Sequence, residues 1–279
     1  MKVYMSVDME GASGITSSKL ISRKEKEYDR GRKLLTADVN AAIKGALKAG
    51  AKDILVNDSH GSMTNILIED LEEGARLITG SNKPLLQMAG IDDSFDAAFF
   101  VAYHAREGTE AGLLNHTIMG SVVTEIRRNG EVMGETGINA GIAGAFGVPV
   151  VLVTGDDKVG AEASALIPGI ETVAVKTSLD RHTASCLPPR QAHKMIEEAA
   201  VRALQRREEV APHCEQSPVV FDVTFKTTPS VSMACLFPCV ERLAPKQIRV
   251  VDDDYVAAFK KLWGALLLGM SAMGGVLER

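Results

Sequence analysis

Three short apolar runs, each stopping on a polar residue that can bind a metal or carry a proton, constrain this chain more than any other feature. Residues 2–8 (KVYMSVD), 53–58 (DILVND) and 97–104 (AAFFVAYH) share this design. Runs this short and this continuously apolar read as strands covered on both faces, the pattern of a parallel sheet. Between the first two, Leu35, Val39, Ala42, Ile43, Ala46 and Leu47 recur at helical spacing within 28–50, and Gly50 offers a stop. The result is a strand-helix-strand unit. A helical pattern over 136–146 leads into the apolar run 148–154 (VPVVLVT). The fold class is therefore α/β, a mainly parallel sheet flanked by helices, with residues 1–160 as one domain. In such sheets ligands gather at the carboxyl ends of the strands.

Beyond Gly160 the pattern changes. Residues 190–208 carry Met195, Ile196, Ala200 and Leu204 on one helical stripe, whereas 219–226 (VVFDVTFK) alternates apolar and polar as a half-exposed strand does. A smaller α+β domain over 161–279 is expected. Asp252, Asp253 and Asp254 announce a last helix running through Val256, Phe259, Trp263 and Leu267. Residues 262–277 carry no charge but are too short and too glycine-interrupted to span a membrane, so a buried or subunit-facing helix is expected there. The formal charge of −5 is spread along the chain, which leaves no basic footprint for nucleic acid and no polybasic stretch for lipid. The first residues turn acidic too soon for a secretory leader, which points to the cytoplasm. In that reducing compartment Cys186, Cys214, Cys235 and Cys239, with no CxxC pair, are expected to be buried free thiols.

The candidate chemistry lies at the strand ends. Asp8 and Glu10, one residue apart with Gly11 behind them, suit a divalent cation, an acid–base pair, or a helix cap with an exposed glutamate beside it. His60 follows the second strand and His104 closes the third; a lone histidine is more often structural, but three parallel strand ends meet on one rim. Imidazole nitrogen with carboxylate oxygen is a donor set that zinc favours. His116, in LLNHT, sits in a loop after Gly112, and Glu135, in GETGINA, opens a helix where it also complements the dipole. His182, His193 and His213 read as surface or loop residues, and Asp156 and Asp157 as solvated turn carboxylates near the same rim. Walker-type phosphate loops, GxSxG and GxGxxG are absent from the sequence.

The segments KVYMSVDMEG, LVNDSHGSMTN, AYHA, NHT, GETGINA, VTGDDK, AVKTS and CLPP occur in this order over nearly the whole chain. Together they resemble the bacterial D-aminopeptidase family of the dipeptide-operon type. That resemblance implies two zinc ions per subunit, with Asp8 bridging them, Glu10 and His60 completing one site, and His104 and Glu135 the other. It implies His116 as the catalytic histidine, and its GETGIN context selects Glu135 over Glu131. It further implies hydrolysis of the N-terminal residue of short peptides by a metal-activated water, and assembly as a homodecamer. The donor set by itself also suits another two-metal hydrolase such as a phosphoesterase, or a non-catalytic metal-dependent peptide-binding protein.

Overall fold

The computed structural model describes residues 1–274. Its elements, in chain order, are β1 (Lys2–Val7), α1 (Tyr28–Lys48), β2 (Asp53–Asp58), β3 (Ala75–Ile78), β4 (Ala97–Tyr103), β5 (Val123–Arg128), β6 (Glu131–Val132), α2 (Glu135–Ala145), β7 (Val150–Asp156), α3 (Asp157–Leu166), β8 (Glu171–Asp180), β9 (Thr183–Cys186), α4 (Pro189–Gln205), β10 (Val219–Phe225), α5 (Thr228–Ala234), β11 (Glu241–Ala244), β12 (Gln247–Asp252) and α6 (Tyr255–Ser271). The first sheet runs β3-β2-β1-β4-β7-β8-β9, parallel except at the β9 edge. The second runs β11-β12-β10-β5-β6 and is antiparallel. The expected parallel sheet is thus present, and so are the half-exposed strand β10 and the last helix α6, whose N-cap is Asp254.

Burial follows the sequence pattern. Strands β4 and β7 are buried at every position, as their unbroken apolar runs require. Helix α1 turns Leu35, Val39, Ala42, Ile43 and Ala46 inward and packs against α4, while α2 packs against α3 and α6. The boundary read at residue 160 falls inside α3, and each sheet draws strands from both sides of it: β8 and β9 complete the first, β5 and β6 the second. Sequence order hides this because the hairpin β5-β6 leaves the first sheet and returns through α2.

Helix α2 is buried from Glu135 to Gly144, so its placement is fixed from both sides. Tyr255 of α6 donates to the Ile138 carbonyl at 2.9 Å, and Gly141 leaves the room its ring fills. On the other side of the site, Gly11 lies so close to the backbone of β4 that a Cβ there would sit inside the Tyr103 carbonyl oxygen. Gly11 N–H meanwhile donates to Ala102 O at 2.8 Å. We expect Gly11→Ala to destabilise the protein by about 3 kcal/mol or more, because the clash is with backbone that cannot swing away. A melting temperature within a degree or two of the parent would contradict this packing.

The uncharged C-terminal stretch is helical as far as Ser271, with Leu262, Ala265, Leu266 and Gly269 buried and Leu267 and Met270 partly exposed. Residues 275–277 of that stretch lie outside the described residues. No helix among the described residues is long and apolar enough to cross a membrane. The four cysteines are free, but the expectation that they are buried is corrected: Cys186, Cys214 and Cys239 are exposed and Cys235 is half-buried. Cys186, Cys214 and Cys239 lie on an edge strand or in loops, and Cys235 follows the short helix α5 and packs against the core from its margin.

Candidate metal centre

The order β2-β1-β4 places the chain's reversal of strand order between β1 and β4, the crevice where doubly wound sheets bind ligands. Asp8 and Glu10 follow β1, His60 follows β2 and His104 follows β4. The rim is stitched by backbone hydrogen bonds, Asp8 N–H to Val101 O at 2.9 Å and Ser59 N–H to Val7 O at 2.8 Å. At the end of β4 the backbone of Ala102 is left-handed, with φ of 60°, and its N–H is held by Thr154 Oγ1 at 2.9 Å. A non-glycine residue in that region carries strain, and here it turns the strand end that presents His104.

All six residues singled out in the sequence come together. His60 Nδ1 lies 2.9 Å from Glu10 Oε2 and 3.2 Å from Asp8 Oδ1. His104 Nε2 lies 3.2 Å from Asp8 Oδ2 and 3.5 Å from Glu135 Oε1. His116 stacks on His104 with ring centroids 4.1 Å apart, and its Nε2 is 3.8 Å from Glu135 Oε1. One carboxylate, Asp8, therefore serves both flanks, with Glu10 and His60 on one side and His104, Glu135 and His116 on the other.

Each imidazole is anchored by its other nitrogen to a backbone carbonyl. His60 Nε2 pairs with Ile21 O at 3.1 Å, His104 Nδ1 with Ala105 O at 2.9 Å and His116 Nδ1 with Leu114 O at 3.0 Å. The carbonyl must receive an N–H, so the nitrogen facing the carboxylates carries a lone pair unless the ring is charged. This is how proteins orient metal-ligating histidines.

Three buried atoms at the cluster lack hydrogen bonds. Asp8 Oδ2, Glu10 Oε2 and His104 Nε2 are inaccessible to solvent and make no well-angled hydrogen bond, although Asp8 Oδ2 and His104 Nε2 are only 3.2 Å apart. Leaving three such atoms unsatisfied is costly, and a shared cation removes the cost. Donor atoms of Asp8, Glu10 and His104 lie within 4.8 Å of one another, as do those of His104, His116 and Glu135. Mixed imidazole and carboxylate donors fit zinc better than calcium or magnesium, which take oxygen.

The electrostatics of the bare side chains show the same need. Burial pushes the Asp8 carboxyl above its usual range, and the neighbouring Glu10 charge adds to the shift. Burial acts on Glu135 too, but the charges of His104 and His116 outweigh it and bring the group down to about 2. Against their own burial, His60 is drawn well upward by Glu10 and His104 by Glu135. Three buried carboxylates beside the buried His104 and the half-buried His60 thus favour positive charge at their centre.

The matching family profile, described as D-aminopeptidase, covers residues 1–263. This chain belongs to the D-aminopeptidase family. A D-aminopeptidase of Bacillus subtilis (strain 168) is 38% identical over 263 residues, 94% of this chain and 95% of the relative. The solved structure of the Zn-dependent D-aminopeptidase DppA from Bacillus subtilis, a self-compartmentalizing protease, matches with a TM-score of 0.94 at 35% identity. The match covers 97% of this chain and 98% of that one.

Of the remaining sequence candidates of this D-aminopeptidase family member, all but His182 have other partners. His182 is exposed in the β8-β9 turn. His193 is not a free surface residue: its Nε2 lies 3.1 Å from the buried Asp38 and ties α4 to α1. His213 sits between Arg128 and Glu215, each 3.0 Å away. Asp156, expected to be solvated, is buried and caps α3 by accepting from Val159 N at 2.8 Å. Asp157 accepts from Ser178 N at 2.6 Å.

Three supporting residues carried no signal of function in the sequence. Gln87 donates from Nε2 to Glu135 Oε2, while its Oε1 accepts from Asn139 Nδ2 at 2.7 Å. Ile118 N–H holds the other Glu135 oxygen at 2.7 Å. Lys176, within the AVKTS segment, is buried and donates to the carbonyls of Glu10 (2.6 Å), Ala12 (2.8 Å) and Ile15 (2.6 Å). It clamps the loop that carries Glu10. A buried lysine is visible only once its three acceptors converge, and no spacing rule announces that.

Proposed function

We propose that this chain is a zinc-dependent aminopeptidase that removes the N-terminal residue, in D configuration, from short peptides. The observation that carries this is the convergence of Asp8, Glu10, His60, His104 and Glu135, with three buried donor atoms lacking hydrogen bonds, beside the uncommitted Nε2 of His116. Membership of the D-aminopeptidase family selects amide hydrolysis over phosphate ester chemistry. The zinc dependence stated for DppA is carried to this chain on the fit of its donor set.

Two zinc ions per subunit are proposed, with Asp8 shared between a site completed by Glu10 and His60 and another completed by His104 and Glu135. Bound zinc lowers the pKa of a coordinated water toward neutrality and polarises the scissile carbonyl. The side chains do the rest. Gln87 and Ile118 fix both Glu135 oxygens, so that carboxylate cannot rotate away. His116 keeps Nδ1 on Leu114 O and turns Nε2 toward Glu135 and the adjoining cavity, where it can transfer a proton or, charged, face a developing oxyanion.

DppA is described as self-compartmentalizing. We propose the corresponding assembly here, a homodecamer, with the partly exposed Leu267 and Met270 of α6 and the second sheet offering apolar contact area. A cytoplasmic setting accords with four free thiols.

Release of free alanine from D-Ala-D-Ala and from L-Ala-L-Ala, by protein as purified, chelated and zinc-restored, tests the reading. The expected result is cleavage of the D-peptide that is lost on chelation and regained with zinc. Zinc-loaded protein that cleaves neither peptide would refute it.

A further inference from the structure

A cavity of about 600 Å³ adjoins the cluster. Ser59, Gln87 and His116 line it together with apolar side chains, among them Met63, Ile118 and Trp263, and with Lys83. Lys83 stands out because the residue is 8% exposed and, among the described residues, the acceptors of its ammonium are uncharged oxygens, Asn57 Oδ1 and the carbonyls of Asp58 and Ile78. The nearest candidate, Asp58, is already engaged. Its carboxylate accepts from Asn65 N (2.5 Å), Ile66 N (2.8 Å) and Asn65 Nδ2 (2.7 Å), and only its backbone carbonyl meets Lys83.

An ammonium has three N–H donors. Two are used well, on Asn57 Oδ1 at 2.7 Å and Asp58 O at 2.6 Å. The third has only Ile78 O at 3.4 Å, too long for a strong bond. Burial costs this cation enough to lower its pKa to about 8, with Asp58 acting in the opposite sense, yet at neutral pH it still carries most of its charge. A buried cation short of a counter-ion and of one acceptor, in the lining of an otherwise largely apolar cavity, suits an anionic ligand group.

The position relative to the metal-capable cluster is fixed by hydrogen bonds. Asn57 accepts from Lys83 with Oδ1 and donates with Nδ2 to Gln87 O at 2.7 Å, and the Gln87 side chain holds Glu135. Ammonium and cluster therefore belong to one hydrogen-bonded unit, with two residues, Asn57 and Gln87, between them. An extended dipeptide is about 7 Å long, small enough to lie wholly within such a cavity.

We propose that Lys83 Nζ binds the C-terminal carboxylate of a short peptide whose N-terminal residue lies at the Asp8–Glu135 cluster, making a free C-terminus a specificity determinant. The inference rests on the aminopeptidase reading above. It gives the cavity two tasks: apolar side chains receive the departing residue, and the lysine reads its charge. Because the carboxylate stays on Lys83 from binding through reaction, the contact acts on ground state and transition state alike and shows in KM more than in kcat.

The test compares a dipeptide with its C-terminal amide, in the handedness the zinc-loaded protein cleaves, on the parent and on Lys83→Met and Lys83→Arg. For the parent, kcat/KM for the amide is expected to be about 10- to 100-fold below that for the free acid, with most of the loss in KM. In Lys83→Met the ratio of kcat/KM for acid over amide falls to about one; Lys83→Arg keeps part of the preference. Equal rates for acid and amide in the parent, or an undiminished preference in Lys83→Met, would overturn the inference while leaving the aminopeptidase reading intact. Cleavage of no peptide at all removes that reading and this one with it. Should Lys83→Met fail to fold, the parent comparison of acid and amide still decides.

Discussion

His116→Ala is expected to lower kcat by about 100- to 10,000-fold while retaining the zinc content of the parent. The geometry separates His116 from the other two histidines in two respects. His60 and His104 each stand within 3.5 Å of a carboxylate oxygen through the nitrogen not tied to backbone, whereas His116 Nε2 comes no closer than 3.8 Å to Glu135. It is also the one of the three that lines the cavity. A ring so placed can reach a substrate atom that the buried ligands cannot. The alanine variant keeps the Cβ against which Gly120 packs, so the loop from Leu114 to Ile118 has its local packing preserved. The loop is held besides by the Ile118 N–H bond to Glu135. Metal analysis beside steady-state kinetics checks this. Parallel loss of zinc and activity would make His116 a ligand, an alternative the 4.8 Å grouping of His104, His116 and Glu135 leaves geometrically open. Near-full turnover would remove it from the chemistry altogether.

The parts legible in the sequence are those that obey a period. Strands β1, β2, β4 and β7 announce themselves because burial on both faces demands unbroken apolar runs, and α1 because Leu35, Val39, Ala42 and Ala46 repeat every three to four residues. From these alone the strand-end rule brings Asp8, Glu10, His60 and His104 to one rim. Strand β3 (ARLI) and the hairpin β11-β12 are too short and too mixed in polarity to be read this way. The division into sheets was also illegible, since β5 pairs with β10 across nearly a hundred residues and no local pattern records a partner that distant. Around the cluster, the left-handed backbone at Ala102, Leu114 and Ile118 lies on residue types that give no warning of it. Tertiary contacts impose it there, which is why such strain collects at functional sites. Gln87 and Lys83 escaped for a related reason. Both sit in an irregular stretch between β3 and β4, and their roles exist only through partners brought from β2 and α2.

Asp8→Ala should lose zinc from both flanks of the cluster at once and fall to the activity of chelated parent, yet its metal-free form should melt no lower than metal-free parent. The first half follows from geometry, since Asp8 Oδ1 faces His60 and Oδ2 faces His104. The second follows from charge. With no cation present, burial and the Glu10 charge strain Asp8 by more than its contacts with His60 and His104 relieve, so its carboxyl is pushed up on balance. What holds the metal-free cluster together is protons. The raised pKa values of His60 and His104 mean that folding tightens their hold on a proton, so their contribution is complete below about 6.5 and disappears as pH climbs through the folded values. Glu135, depressed to about 2, contributes above about 4.5 and loses that share as pH falls toward its folded value. Zinc competes for the same lone pairs and releases those protons, so its affinity rises with pH just where the protonated cluster weakens. Calorimetric melting of chelated and zinc-loaded parent on either side of neutrality should therefore show a gap that widens toward alkaline pH. At a zinc excess of a thousandfold over Kd the stabilisation is about 4 kcal/mol. A gap independent of pH in the parent, or one that persists in Asp8→Ala, would mean that zinc stabilises the protein somewhere other than at these carboxylates and imidazoles.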